Sequence, residues 1–160
     1  MSHVEIREIQ QEDNQHIANV IREVLVESGA PKVGTAYEDE ALNDMFKTYS
    51  GFKCAYFVVV EDGAVVGGAG VGPLENEPET CELQKMYFLK SARGRGLGQR
   101  MMQICLGKAK TLGYKKCYLE TLPYMQAATK LYTQNGFKNL EKPLGKTGHY
   151  SCNVWMIKTL

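Results

Sequence analysis

Apolar positions recur along the chain with two periods. Val4, Ile6 and Ile9 mark a short first strand. Asp13 stands where a helix N-cap belongs, and Ile17, Val20, Ile21, Val24 and Leu25 follow on one helical face. Ser28-Gly29-Ala30-Pro31 stops that helix. Residues 30–37 read as a loop and 38–49 as a second, shorter helix. Ala55 to Val60 is an apolar, β-branched run, the pattern of a buried strand. Asp62-Gly63 is a tight-turn dipeptide, so the strand from Val65 forms a hairpin with it. That second strand holds Gly67, Gly68, Gly70 and Gly72, which predicts bulges or close backbone approach.

Residues 75–79 read as an acidic loop, and 81–89 as the next strand. Leu97, Met101, Ile104, Cys105 and Leu112 give a helix over 97–112 its core stripe, and Gly113 stops it. Cys117 to Thr121 is strand-like, and 125–135 is helical up to Gly136. Phe137 to Leu140 and Tyr150 to Ile157 make a final strand pair, with Trp155 expected in the core. The order β-α-α-β-β-β-α-β-α-β-β predicts an α/β fold: a mixed sheet with helices on both faces.

The connection Arg93-Gly94-Arg95-Gly96-Leu97-Gly98 joins a strand to a helix. Glycine lacks a Cβ, so an anion can approach the main chain there, and the helix N-terminus adds partial positive charge. Arg93, Arg95 and Arg100 supply full charges, and Gln99 a further N–H, which makes the stretch a pyrophosphate cradle. Arg95 and Arg100 are equally well read as solvated surface residues. The dinucleotide fingerprint fails, because its last glycine would fall on Gln99 or Met101. The P-loop fails for want of a following Lys and Ser or Thr.

What does fit is R-x-x-G-x-G, carried by Arg93, Gly96 and Gly98. It resembles the acetyl-CoA signature of the GNAT N-acetyltransferases. Ala128-x-x-Leu131-Tyr132-x-x-x-Gly136-Phe137 resembles that family's second signature. The resemblance covers roughly residues 4–142. It implies a mostly antiparallel, twisted sheet splayed between the strand at 81–89 and the strand at 115–121, with a pantetheine arm inserted there. It also implies acetyl-CoA as acyl donor, with backbone from Met86, Tyr87 and Phe88 and the helix around Ala128 in contact with it.

The same resemblance implies two catalytic residues. Glu82 falls where some members carry a general base; the alternative is a strand-end acid in a salt bridge. Tyr132 falls where members carry a tyrosine that protonates the departing thiolate; the alternative is aromatic packing. Met125 occupies a position where many members carry Asn, which puts one cofactor hydrogen bond in doubt. Thr121 and His149 are candidate substrate contacts, each with a plain alternative: an edge hydroxyl and a surface loop histidine. The implied activity is acetyl transfer to a primary amine in a small molecule or peptide. The rival is an acetyl-CoA-binding sensor or regulatory module without turnover.

Composition narrows the classes further. A chain of 160 residues with 44% apolar and 23% charged positions is expected to be one globular domain, 1–160. Net charge is +1, which gives no support to nucleic-acid or anionic-membrane binding. Five cysteines, an odd number without C-x-x-C spacing, read as free thiols in a reducing compartment. The three histidines are scattered, so no metal is expected. The chain start has no apolar signal core and no stretch is long and apolar enough to span a membrane, so a cytoplasmic location is expected. The GNAT resemblance is compatible with a monomer or a homodimer.

Overall fold

A computed structural model describes residues 2–123 and 125–160. The elements follow the predicted order: β1 (Val4–Glu8), α1 (Asn14–Glu27), α2 (Met45–Thr48), β2 (Ala55–Glu61), β3 (Ala64–Leu74), β4 (Glu77–Phe88), α3 (Leu97–Thr111), β5 (Lys116–Thr121), α4 (Gln126–Gln134), β6 (Lys138–Leu140) and β7 (Val154–Thr159). They build a seven-stranded sheet in the order β1-β2-β3-β4-β5-β7-β6. All neighbours are antiparallel except β4 and β5.

Strand alternation divides the core in two. Phe57 and Val59 face one side of β2, where Leu97, Met101, Met102 and Cys105 of α3 and Tyr132 of α4 pack. Tyr56 and Val58 face the other side, against Ile17, Ile21, Val24 and Leu25 of α1 and Met45 of α2. Helices therefore cover both faces, as the β2 pattern of continuous apolar residues requires.

Four local readings are corrected. Asp13 stands before α1 but does not cap it with its side chain. Its carboxylate turns back to accept from Gln10 N at 2.8 Å and from both Arg7 Nη atoms at 2.7 and 3.0 Å, because a guanidinium fork outcompetes a single amide. Residues 38–49 are not one helix: two short 3₁₀ turns, Ala36–Glu38 and Glu40–Asn43, precede the four residues of α2. Most of the acidic stretch 75–79 belongs to β4, since the turn closes earlier, at Asn76 with φ 67°. Strand β7 starts at Val154, not at Tyr150, and within it Met156 is fully buried while Trp155 is only half-buried.

The glycines of β3 have the reasons their number suggested. The ladder to β4 shifts between Gly68 and Gly70, and a Cβ on Gly70 would stand 2.4 Å from the Ala55 carbonyl oxygen. Backbone atoms cannot yield as a side-chain tip can. Gly70→Ala is therefore expected to destabilise the chain by about 1–3 kcal/mol, a cost of overpacking. Gly107 in α3 is exposed and has nothing within 4 Å of an added Cβ, so Gly107→Ala should stabilise by about 1 kcal/mol. Thermal melts of the two variants check the opposite signs.

Candidate functional site

Strands β4 and β5 pair over Thr80–Lys116, Cys81–Cys117 and Glu82–Tyr118, and then part. Leu83 to Phe88 thus carry backbone groups on that edge with no partner on β5. The residues at the parting define the candidate active site.

On one side of it lies a cleft of ≈ 340 Å³. Its walls are Met86, Tyr87 and Phe88 of β4, the loop residues Ala92, Arg93 and Gly94, Gly98 of α3, and Met125 to Ala128, Leu131 and Tyr132 around α4. Val24 of α1 and Ser28 just after it complete the wall. A smaller chamber of ≈ 50 Å³ continues inward, sharing Met86, Tyr87, Met125, Ala128 and Tyr132 with the cleft and adding Thr35, Lys85, Glu120, Thr121 and Cys152.

The glycine turn fits an anion. Gly94 and Gly96 sit at φ 71° and 77°, the left-handed region, with open space where a Cβ would stand. Gly96 is the N-cap of α3 and offers no side chain to the first amides of the helix. The first intrahelical bond there is Arg100 N to Gly96 O at 3.1 Å, which leaves the amides of Leu97, Gly98 and Gln99 for a ligand.

The arginines are placed differently from one another. Arg93 donates Nε to Phe88 O at 2.9 Å and Nη1 to Glu27 at 2.6 Å, which ties the loop to the end of β4 and to α1. Arg95 forms a two-pronged pair with Glu61 at 2.7 and 3.0 Å, and that contact holds the Glu61 carboxyl down at about 2. Neither Arg95 nor Leu97 nor Gln99 lines the cleft; Leu97 is buried in the core and the Gln99 amide exchanges hydrogen bonds with Asn135.

Tyr132 is 6% exposed and stands where the cleft meets the chamber. Its ring meets Phe137 edge-on, with centroids 6.0 Å apart. Burial pushes its phenol well up, so it holds its proton at neutral pH. Thr121, 6% exposed, lines the chamber and its hydroxyl lies 3.8 Å from the Met125 sulfur. Met125 itself lines both the cleft and the chamber.

Glu82 sits at the point of parting and is 7% exposed. It lines neither the cleft nor the chamber. Gln84 donates to one of its oxygens at 2.8 Å and is itself fixed by the Tyr49 hydroxyl at 2.6 Å. Burial pushes the Glu82 carboxyl up, against the Gln84 bond, and the neighbouring Glu120 adds to the rise.

The structure brings His149 to Glu82, which spacing could not foretell. Donor atoms of Glu82, Glu120 and His149 all lie within 4.8 Å of one another. His149 Nε2 meets Asp39 at 2.7 Å, and Asp39 also pairs with Lys85 Nζ at 2.8 Å. Tyr118 donates to Glu120 at 2.6 Å, and the Thr147 hydroxyl donates to its other oxygen. Lys85 reaches this group from the bulge in β4, at φ 50°, with its carbonyl held by the Tyr56 hydroxyl at 2.7 Å.

Sequence reasoning missed Asp39, Lys85 and Glu120. The signal for Glu120 was present: Glu82 and Gln84 alternate in β4, as Tyr118 and Glu120 do in β5, so each strand aims polar groups at one face. Asp39 had no such signal, since its partner lies 110 positions away.

Comparison with known proteins agrees with this geometry. The Acetyltransferase (GNAT) family matches residues 6–137. The uncharacterised N-acetyltransferase YjgM of Escherichia coli is 41% identical over 157 residues, which covers 97% of this chain and 94% of that protein. A GNAT-family acetyltransferase from Staphylococcus aureus superposes with a TM-score of 0.87 at 17% identity, over 98% of this chain and 99% of its own. The PaiA N-acetyltransferase of Thermoplasma acidophilum, solved in complex with coenzyme A, superposes with a TM-score of 0.78 at 19% identity, over 99% of both chains. The splayed sheet, the glycine turn and the extended match to N-acetyltransferases lead to one conclusion: the chain belongs to the GNAT acetyltransferase family and is an N-acetyltransferase on that family's coenzyme A-binding fold.

Proposed function

We infer that the chain moves an acetyl group from acetyl-CoA to a primary amine by direct attack within a ternary complex. The observation that carries the reading is the cleft itself. It places Gly94 and Gly98 of the glycine turn, the unpaired edge of β4 and Tyr132 along one continuous space.

The residues fit coenzyme A as the group held there. Amides from Gly94 to Gln99 would take the pyrophosphate, and backbone at Met86 to Phe88 would take the pantetheine arm as an extra strand. Acetyl-CoA supplies an activated acyl thioester. An amide N–H of the 86–88 segment polarises its carbonyl. The amine nitrogen forms a bond to the acyl carbon as the carbon–sulfur bond breaks. The ammonium proton passes to Glu82 through water before attack, since Glu82 does not line the chamber. Tyr132 gives its proton to the leaving sulfur, and the second proton shed by the acylated nitrogen returns to the Tyr132 oxygen.

The cysteines support direct transfer over an acyl-enzyme. Cys152 is the one thiol at the chamber, and burial, with Glu120, Glu82 and Asp39 nearby, holds it up at about 12. A thiol so protonated is a poor nucleophile. The five free thiols also favour the reducing cytoplasm as the working compartment. Turnover, and not sensing alone, is favoured by two proton-transfer groups at the two ends of the reaction path.

Saturating acetyl-CoA at about a hundred times its dissociation constant should stabilise the chain by about 2.7 kcal/mol, raising the melting temperature by about 5–10 °C. A melt that does not move sinks the cofactor assignment.

Glu82→Gln should cut kcat/KM for an amine acceptor by about a hundredfold and remove the acidic limb of its pH profile. In the wild type that limb should lie above the ordinary carboxylate range. A base whose pKa is raised loses its function at a higher pH as acid is added. Retention of the limb in the variant would assign the base elsewhere.

Tyr132→Phe should lower kcat by about a hundredfold while acetyl-CoA affinity, read by calorimetry, changes little. An unchanged rate would remove Tyr132 as the acid.

A further inference from the structure

Charge on the face of the sheet opposite α3 is concentrated around one histidine. His149 is 17% exposed and comes from the loop before β7. Asp39, from the turns between α1 and α2, grips its Nε2 with both oxygens, at 2.7 and 3.0 Å. The backbones of the two loops are joined as well: Ser151 N donates to Gly34 O at 2.9 Å, and Ser151 Oγ to Val33 O at 2.9 Å. The imidazole is thus held over Glu82 and Glu120 by two independent ties.

The groups that face it are Asp39 from its loop, Lys85 and Glu82 from β4, Glu120 from β5 and the Cys152 thiol from its own loop. With a neutral imidazole, the buried Glu82 and the half-buried Asp39 and Glu120 would face Lys85 alone. Lys85 is itself committed to Asp39 at 2.8 Å, so Glu82 and Glu120 would repel one another without a counter-charge. An imidazolium at 149 supplies that charge.

We propose that His149, gripped by Asp39, is a positioning residue: a fixed cation that keeps Glu82, beside Glu120, anionic and ready to take a proton from the acceptor amine. This rests on the reading of Glu82 as the base. Burial opposes charge on His149, but the Asp39 hydrogen bond and its negative charge outweigh it and raise the imidazole above its ordinary range. The sign for Glu82 follows. Losing a cation within about 4–6 Å disfavours the carboxylate and moves its titration up.

The test uses the full chain loaded with coenzyme A. Carboxyl carbons of labelled glutamate are titrated by NMR, with Glu82→Gln giving the assignment, and kcat/KM for an amine is profiled against pH. In His149→Gln, the Glu82 titration and the acidic limb of the profile should both move up by about one pH unit or more. His149→Lys, which restores a cation, should bring both back toward wild type. A Glu82 titration that stays in place in His149→Gln overturns the proposal, and so does a uniform loss of kcat with the limb unmoved. The unmutated chain gives a second check. Its His149 imidazole, followed by nitrogen shifts, must keep its proton through the pH at which Glu82 ionises; an imidazole already neutral there overturns the proposal whatever the variants do. If Glu82→Gln keeps the acidic limb, the base assignment fails on its own account, while the carboxyl titration still decides the role of His149.

Discussion

The parting of β4 from β5 after the Glu82–Tyr118 pair is the constraint on which the rest of the site depends. Parallel strands normally continue their ladder, because an unpaired buried amide is costly. Here three pairs form and the next six residues of β4 have no β5 partner. The bulge at Lys85 contributes to this. It shifts the β3–β4 register between Gly68 and Gly70, and those glycines leave room for Tyr56 and the backbone of β2 on their other side. Helix α4 then fills one side of the gap with Tyr132, and the cleft is what remains.

The split brings two kinds of chemistry to one gap in the sheet. The cofactor side is a matter of backbone: amides at the start of α3 and the open edge of β4. Its arginines have other work, since Arg93 holds Glu27 and the Phe88 carbonyl, and Arg95 holds Glu61. These contacts fix the loop in the shape that exposes the amides, so the basic residues of the motif act first as fasteners. The other side is a matter of side chains: Glu82, Gln84, Glu120, Lys85, Asp39 and His149, each reached by a different strand or loop.

This division also explains what could be read from the sequence. The order of elements and both signatures were legible because each depends on residues close in the chain: periodicity within one element, or a turn with glycines at fixed offsets. Gly94 and Gly96 have left-handed φ for a local reason, and a local pattern announces it. The readings that failed were those in which a distant partner overrode a local preference. Asp13 prefers the helix amides, but Arg7 draws it back; the 38–49 stretch lacks enough helical faces to remain one helix once its side chains are engaged by α1 and His149. Trp155 misled because strand alternation assigns burial to its neighbour Met156.

The polar cluster on the α1 face was the least legible part of the site: Asp39 carried no signal, and His149 stood out only as a lone loop histidine. Asp39 and His149 are joined only because the loop after α1 and the loop before β7 cross the same end of the sheet. A signature common to a family describes the cofactor, which is the same for every member. The acceptor differs among members, so the residues that meet it come from loops without a fixed spacing. In this chain those loops meet beside two carboxylates and bring a histidine within 4.8 Å of them. The polar cluster is therefore written in tertiary contacts, while the glycine turn and the open edge of β4 are written in the main chain.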